Sequence, residues 1–276
     1  MPQRFKDCVV IITGGSTGIG ASAAHQFAAE GAHVVLNARG KEALDKVVAE
    51  IQEKGGSASC YPADVGDLNA CKSLIESTVE TYGRLDVLVN NAGVHHRGPI
   101  TNHDADKFAT MVDVNLRAPI VLTRLALPHL MKAPKGSVVN VASLAGRVCL
   151  PNAATYSSTK FGMRAFSLAL AEELRDTSVS VCAVCPGPVD TGFIMSDIDE
   201  VADITFSQTM STADQVADLV VACALDGKPE RVIPKMGGFL TTVAYLFPSL
   251  SRILRPMMQR KGARNKKKYK KLYGQD

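Results

Sequence analysis

Thr13-Gly14-Gly15-Ser16-Thr17-Gly18-Ile19-Gly20 follows the apolar run Cys8-Val9-Val10-Ile11-Ile12 and opens an alanine-rich segment, Ala21 to Glu30, of helical composition. A strand, a glycine turn and a helix in that order make an anion site, because the helix start offers unpaired N–H groups and positive dipole charge to a phosphate. Gly14 allows the tight turn, Gly18 a close approach of the pyrophosphate, and Gly20 close packing of helix on strand. Ser16, Thr17 and Ile19 complete the turn. The spacing Gly14-x-x-x-Gly18-x-Gly20 differs from the common Gly-x-Gly-x-x-Gly, and a plain strand-to-helix connector is the competing reading.

Working outward, strand and helix signals alternate along the 276 residues. Strands are expected at 33–38, 57–63, 85–90, 137–141, 179–184 and 231–233. Helices are expected at 41–54, 67–82, 104–132, 153–176 and 213–225, the last with a capping box of Thr212 and Gln215. Such alternation implies an α/β fold with a doubly wound parallel sheet. No repeat or linker divides the chain, so it reads as one domain, 1–235, with a C-terminal extension, 236–276.

Apolar residues make up 46% of the sequence, enough for a substantial core. The first strand begins almost at once, which speaks against a signal peptide, and no apolar run reaches the length of a membrane span. Seven scattered cysteines show no metal-type clustering, so no metal is expected. Cys182-x-x-Cys185 sits in an apolar run and reads as two core thiols, and the odd count fits a reducing cytoplasm.

Ligands of such sheets sit at the C-terminal strand ends. Strand two ends in Asn37-Ala38-Arg39, with no carboxylate for a ribose 2′-hydroxyl. Arg39 could clamp a 2′-phosphate instead, which favours NADP over NAD, unless it is a solvated arginine at a turn. Strand three ends in Asp64-Val65, where a carboxylate could accept from an adenine amino group. Strand four ends in Asn90-Asn91-Ala92-Gly93, which either lines the cofactor without bulk or punctuates a loop. Beyond Ser143, Tyr156 and Lys160 stand four apart on one helix face. A free phenol has a pKa of about 10, and a neighbouring ammonium lowers it towards the range useful for proton transfer.

These motifs resemble the short-chain dehydrogenase/reductase family over nearly the whole span from Asp7 to Arg231, including Pro186-Gly187-Pro188-Val189-Asp190-Thr191. The resemblance implies a Rossmann fold with a seven-stranded sheet and a nicotinamide cofactor. It implies a tetrad of Asn115, Ser143, Tyr156 and Lys160, in which Asn115 breaks helix regularity and holds a water that relays protons to Lys160, while Lys160 also holds the ribose. Pro186, Gly187, Val189 and Thr191 would run along the nicotinamide. It also implies pairing of subunits through 104–132 and 153–176, as a homodimer or tetramer. Many members finish on Val-Asp-Gly-Gly. Here Val232-Ile233-Pro234-Lys235-Met236-Gly237-Gly238 continues for almost forty residues, an ending more like members acting on lipophilic alcohols and ketones.

Between Gly192 and Ser211 the chain loses regular patterning and carries Phe193, Ile194, Met195, Ile198, Ile204, Phe206 and Met210. This segment reads as a lid, its apolar side chains either lining a greasy pocket or packing the lid on the body. In the extension, Leu250, Ile253, Leu254, Met257 and Met258 form a helical stripe, Pro256 is expected to kink it, and Lys266 to Lys271 is expected to be disordered. Ten Lys/Arg and no Asp/Glu lie between Arg252 and Lys271, against 31 basic and 27 acidic residues in the whole chain. Removing those ten leaves 21 basic residues, so the body has a net charge of −6. Apolar stripe and basic flank, 250–271, fit either an interfacial helix on an anionic membrane or a helix docked on its own body. No nucleic-acid module is present.

The sequence therefore reads as an oxidoreductase, cytoplasmic or peripherally membrane-bound, interconverting a secondary alcohol and a ketone with NADP and a small lipophilic substrate. A 3-oxoacyl-thioester reductase whose basic tail meets an acidic carrier protein is the second enzymatic reading. A cofactor-binding sensor or scaffold without turnover is the third, and the complete tetrad argues against it.

Overall fold

The structure, a computed structural model, describes residues 3–273. The nucleotide-side half runs β1 (Val9–Thr13), α1 (Gly18–Ala29), β2 (His33–Ala38), α2 (Lys41–Glu53), β3 (Ser57–Pro62), α3 (Leu68–Tyr82) and β4 (Val87–Asn90). Then follow α4 (Ala105–Val112), α5 (Ala118–Leu130), β5 (Gly136–Val141), α6 (Ala154–Glu173) and β6 (Val179–Pro186). Two-residue strands β7 (Val189–Asp190) and β8 (Ser211–Thr212) bracket a segment holding the single turn α7 (Gly192–Met195). The chain ends in α8 (Ala213–Asp226), β9 (Glu230–Ile233), α9 (Lys235–Leu246) and α10 (Pro248–Leu272).

Seven strands pair in parallel in the order β3-β2-β1-β4-β5-β6-β9. The chain reverses direction across the sheet between β1 and β4, which opens a crevice at their carboxyl ends. Valine and isoleucine dominate the central strands because parallel strands are covered on both faces. Phe27, Leu36, Leu44 and Val220 are buried on one face, and Ile11, Leu74, Leu88 and Leu122 on the other. The capping box of Thr212 and Gln215 closes the start of α8.

Two expectations change. The helix expected over 104–132 from its patterning is interrupted by one π turn, Asp113–Arg117, between α4 and α5, at the Asn115 where the family resemblance has helix regularity break. The lysine run 266–271 is not disordered: α10 continues across Pro256 to Leu272. Its last turns are held on the lid by Lys266 Nζ, which donates to the Asp199 and Val201 carbonyls at 3.0 and 2.7 Å, and by the Lys270–Asp199 ion pair. The lysines order because lid oxygens receive them. All seven cysteines are free thiols, with Cys182 and Cys185 buried in β6. Among the described residues no helix is long and apolar enough to cross a membrane.

Candidate active site

The glycine turn is fixed by main-chain contacts. Gly14 and Gly18 have φ of +65° and +55°, a region costly for any residue with a Cβ. A Cβ on Gly14 would stand 2.9 Å from both the Ala92 backbone and the Asn91 side chain, so turn and post-β4 loop touch directly. Asn91 Nδ2 donates to the Thr13 and Gly14 carbonyls at 3.0 and 3.1 Å. In return Thr13 Oγ1 accepts from the Asn91 and Ala92 amides at 3.0 and 3.1 Å. Thr13 is a positioning residue that its place at the end of an apolar strand did not reveal. The Thr17 side chain makes no capping bond to α1, which leaves the first amides of a twelve-residue helix free for an anion.

Gly14, Ser16, Thr17, Gly18 and Ile19 line one end of a cavity of about 740 Å³. Arg39, Asp64, Val65, Asn91, Ala92 and Gly93 line the same end. Asp64 Oδ1 accepts from the Gly66 amide at 2.8 Å, which aims the carboxylate. Pro186, Gly187, Val189 and Thr191 border the middle, and a Cβ on Gly18 would stand 3.2 Å from the Thr191 methyl. Gly20 lies outside the cavity: a Cβ there would collide with the Gly14 carbonyl, so its smallness serves the packing of α1 under the turn. This end fits a dinucleotide. It has left-handed glycines, an open helix start, and at the end of β2 an arginine and no carboxylate.

Ser143, Tyr156 and Lys160 meet at the cavity's centre, below the end of β5. Ser143 Oγ accepts from the Ala145 amide at 3.1 Å, which fixes the hydroxyl at the head of a short turn. Lys160 is 4% exposed and donates to the Val141 carbonyl at 2.9 Å. Burial pulls its ammonium down to about 8. Its Nζ stands 5.9 Å from the Tyr156 ring centroid. Burial raises the Tyr156 phenol above its ordinary value, and the Ser143 hydroxyl and then the Arg97 charge act the other way.

Asn115 is fully buried in the π turn and does not line the cavity. Its side chain is spent on Val94, accepting from the amide and donating to the carbonyl, both at 2.8 Å. A Cβ on Gly93 would stand 3.4 Å from Asn115 Oδ1 and 3.8 Å from Lys160 Nζ, so both side chains reach the space beside Gly93.

Two residues next to Asn-Asn-Ala-Gly escaped the sequence reading. The His95 ring stacks on Tyr156, centroids 4.0 Å apart and planes 12° from parallel. Burial, with Arg97 nearby, pushes His95 down to about 3, so the ring is neutral at physiological pH. Arg97 lies over the Phe193 ring at 5.2 Å and donates to the Phe193 carbonyl at 2.8 Å. Their only sequence signal is position, directly after a strand end already known to face the ligand.

Beyond Tyr156 the cavity is largely apolar, lined by Val94, Val148, Leu150, Phe193, Ile194 and Ile204, with Arg97, Glu200 and Gln208 among its polar residues. The lid divides its apolar residues between both expected uses. Phe193, Ile194 and Ile204 face the cavity, while Ile194, Met195, Ile198, Val201 and Phe206 form a small core with Met210 and Tyr269. The extension completes the wall with Leu240, Val243, Leu250, Leu254 and Met258, a role its charge pattern had hidden. Arg147 and Arg164 both pair with Glu230 at 2.5 Å, and Arg147 also donates to Thr242 in α9 at 2.9 Å. Burial pushes Glu230 up, but the bonds from Arg164 and Arg147 reverse this and hold its carboxyl at about 2. This charged knot ties the extension to the core.

A family model for short chain dehydrogenases matches residues 8–202. The chain belongs to that family. It is 34% identical over 189 residues, 68% of this chain and 77% of the other, to the 3-oxoacyl-(acyl-carrier-protein) reductase FabG of Thermotoga maritima. A short-chain dehydrogenase from Burkholderia cenocepacia, solved with NADP, is 31% identical with a TM-score of 0.76. A metagenomic short-chain oxidoreductase, also solved with NADP, is 31% identical with a TM-score of 0.73. Both alignments cover 83% of this chain and 97% of the solved one.

Proposed function

We propose that the protein uses NADP(H) to interconvert a secondary alcohol and a ketone on a lipophilic substrate. The observation that carries this reading is one continuous cavity. Its nucleotide end holds Arg39 and lacks a carboxylate at the end of β2, its centre holds Ser143, Tyr156 and Lys160, and its far end is largely apolar. Both NADP-bound relatives support the choice of cofactor. The glycine turn and the start of α1 would hold the pyrophosphate, Arg39 with Ser16 the 2′-phosphate, and Asp64 with Val65 the adenine. Pro186, Gly187, Val189 and Thr191 would flank the nicotinamide, which supplies or accepts the hydride when bound.

Ser143 then holds the substrate oxygen by hydrogen bond, and Tyr156 gives that oxygen its proton on reduction or takes it on oxidation. Lys160, anchored by Val141, holds the ribose and places positive charge near the phenol. The Arg97 charge also acts to lower the phenol. The neutral His95 ring fixes the plane of Tyr156 and keeps water from its face. Asn115 acts as a positioning residue: it shapes the π turn and pins Val94, leaving any water relay to its main chain. Subunits would pair through α4–α5 and α6, where Val112 and Ile120 are exposed.

A 3-oxoacyl-thioester is the second substrate class, favoured by the FabG relative and by the basic surface of α10. NADPH oxidation against lipophilic ketones, short ketones and a 3-oxoacyl thioester separates the readings. Tyr156→Phe removes only the hydroxyl and should lower kcat by roughly a thousandfold while NADPH binding stays within twofold, general acid catalysis being worth about 10²–10⁴. Near-normal turnover by the variant ends this assignment. No turnover with any carbonyl by the wild type leaves a cofactor-binding protein without catalysis.

A further inference from the structure

From the exposed face of the extension we infer that α9 and the first half of α10 dock on an anionic lipid surface, with the mouth of the substrate cavity opening into that dock. The class of substrate rests on the reading above; the docking itself does not.

The apolar surface is concentrated here. Met236, Phe239, Leu246, Phe247, Ile253 and Met257 are all more than half exposed, with Ile253 at 75%. Six large apolar side chains within 22 consecutive residues, on two packed helices, is more than scattered surface apolarity explains. Leu240, Leu250 and Leu254 are exposed as well and also line the cavity, so the mouth lies within the patch.

The charge pattern identifies the occupant. Leu250, Leu254, Met257, Lys261, Arg264, Lys268 and Lys271 follow one another at alternating steps of four and three, which puts them along one face of α10. That face is apolar in its first half and basic in its second, and its four basic residues are exposed. The neighbouring face carries Gly262, Asn265, Lys266 and Tyr269 and is already spent on the lid. A second copy of this chain would bring equal positive charge against these basic residues. A bilayer with anionic headgroups accepts both halves together, apolar side chains below the headgroups and ammonium groups among them. A lipophilic substrate dissolved in that bilayer would then meet the cavity without crossing water.

The sequence contains no tryptophan, so Ile253→Trp provides a single reporter in the full chain. On adding phosphatidylglycerol–phosphatidylcholine vesicles its emission should move to shorter wavelength and be quenched by brominated acyl chains. Leu68→Trp, on exposed α3 outside the patch, should report neither. Pure phosphatidylcholine vesicles should bind at least tenfold more weakly, and raised salt should weaken binding because charge attraction is screened beyond about 8 Å at physiological ionic strength. Lys261→Glu with Lys268→Glu should lower vesicle affinity roughly tenfold or more.

Ile253→Asp, outside the cavity lining, should lower turnover of a vesicle-dissolved ketone severalfold and leave a short water-soluble ketone unchanged. Three outcomes overturn the inference: no vesicle binding at low salt, equal response of both tryptophan reporters, or a vesicle-independent blue shift that follows self-association. Vesicle binding without carbonyl turnover leaves the dock standing and removes the proposed reaction. Turnover without vesicle binding does the reverse.

Discussion

Two helices in this molecule reach their partners through a glycine pressed on a main-chain carbonyl, and the two contacts serve opposite ends of the cavity. Gly20 in α1 lies against the Gly14 carbonyl under the nucleotide turn, and Gly262 in α10 lies against the Asp203 carbonyl of the lid. The first contact joins residues six apart in sequence and is buried within the sheet's own connections. The second joins the extension to a segment almost sixty residues earlier, with Gly262 buried against it. Nucleotide binding is thus built from local backbone geometry, whereas the substrate end is assembled late from lid and tail. Damage at one end should leave the other intact.

The largest effect tests the nucleotide end. Gly20→Ala forces a methyl group into the Gly14 carbonyl and to 2.6 Å from Asn91 Nδ2, and the main-chain carbonyl cannot yield without moving the turn. Overpacking of this kind costs about 1–3 kcal/mol, and here it displaces the turn itself. NADPH affinity should fall roughly a hundredfold, measured by fluorescence titration, with a lowered melting temperature. Unchanged NADPH affinity would mean that the tightness of this turn is not what forms the site.

Arg39→Ala should act on preference and leave folding alone, since Arg39 lines the cavity at a turn. Charge-assisted hydrogen bonds contribute about 1.5–3 kcal/mol, so NADPH should lose roughly ten- to a hundredfold in affinity while NADH changes little. Equal losses for both cofactors would place Arg39 elsewhere than at the 2′-phosphate.

The same division explains what could be read from sequence. Gly14, Gly18, Ser143, Tyr156 and Lys160 announce themselves because each sits at a fixed offset from a strand end, and backbone topology brings strand ends together. The seven-stranded order follows from the same alternation. His95 and Arg97 were invisible because their contacts with Tyr156 and Phe193 depend on how an irregular loop folds back. The ordering of Lys266 and Lys270 was hidden for another reason. A run of lysines looks solvated unless the carbonyls and carboxylates that receive it are known, and these lie on the distant lid. The tail's apolar stripe was legible as a stripe, but not its division between cavity wall and outer face.

The smallest effect tests the substrate end. Glycine inside a helix costs about 1 kcal/mol relative to alanine, so Gly262→Ala in isolation would strengthen α10. In the folded protein the added methyl group collides with the Asp203 carbonyl. Relief requires α10 to lift from the lid, which stretches the bond from Asn265 Nδ2 to the Phe206 carbonyl, now 2.9 Å, and those from Lys266 to Asp199 and Val201. Losing about 1.4 kcal/mol of closure corresponds to a tenfold shift between closed and open lid. KM for a lipophilic ketone should therefore rise up to about tenfold, with faster proteolysis between residues 197 and 210. NADPH affinity should stay within twofold, because the turn at Gly14 to Gly20 makes no use of the lid clamp. A variant with a higher melting temperature and an unchanged KM would show that α10 merely rests on the lid, and the two glycine contacts would then have nothing functional in common.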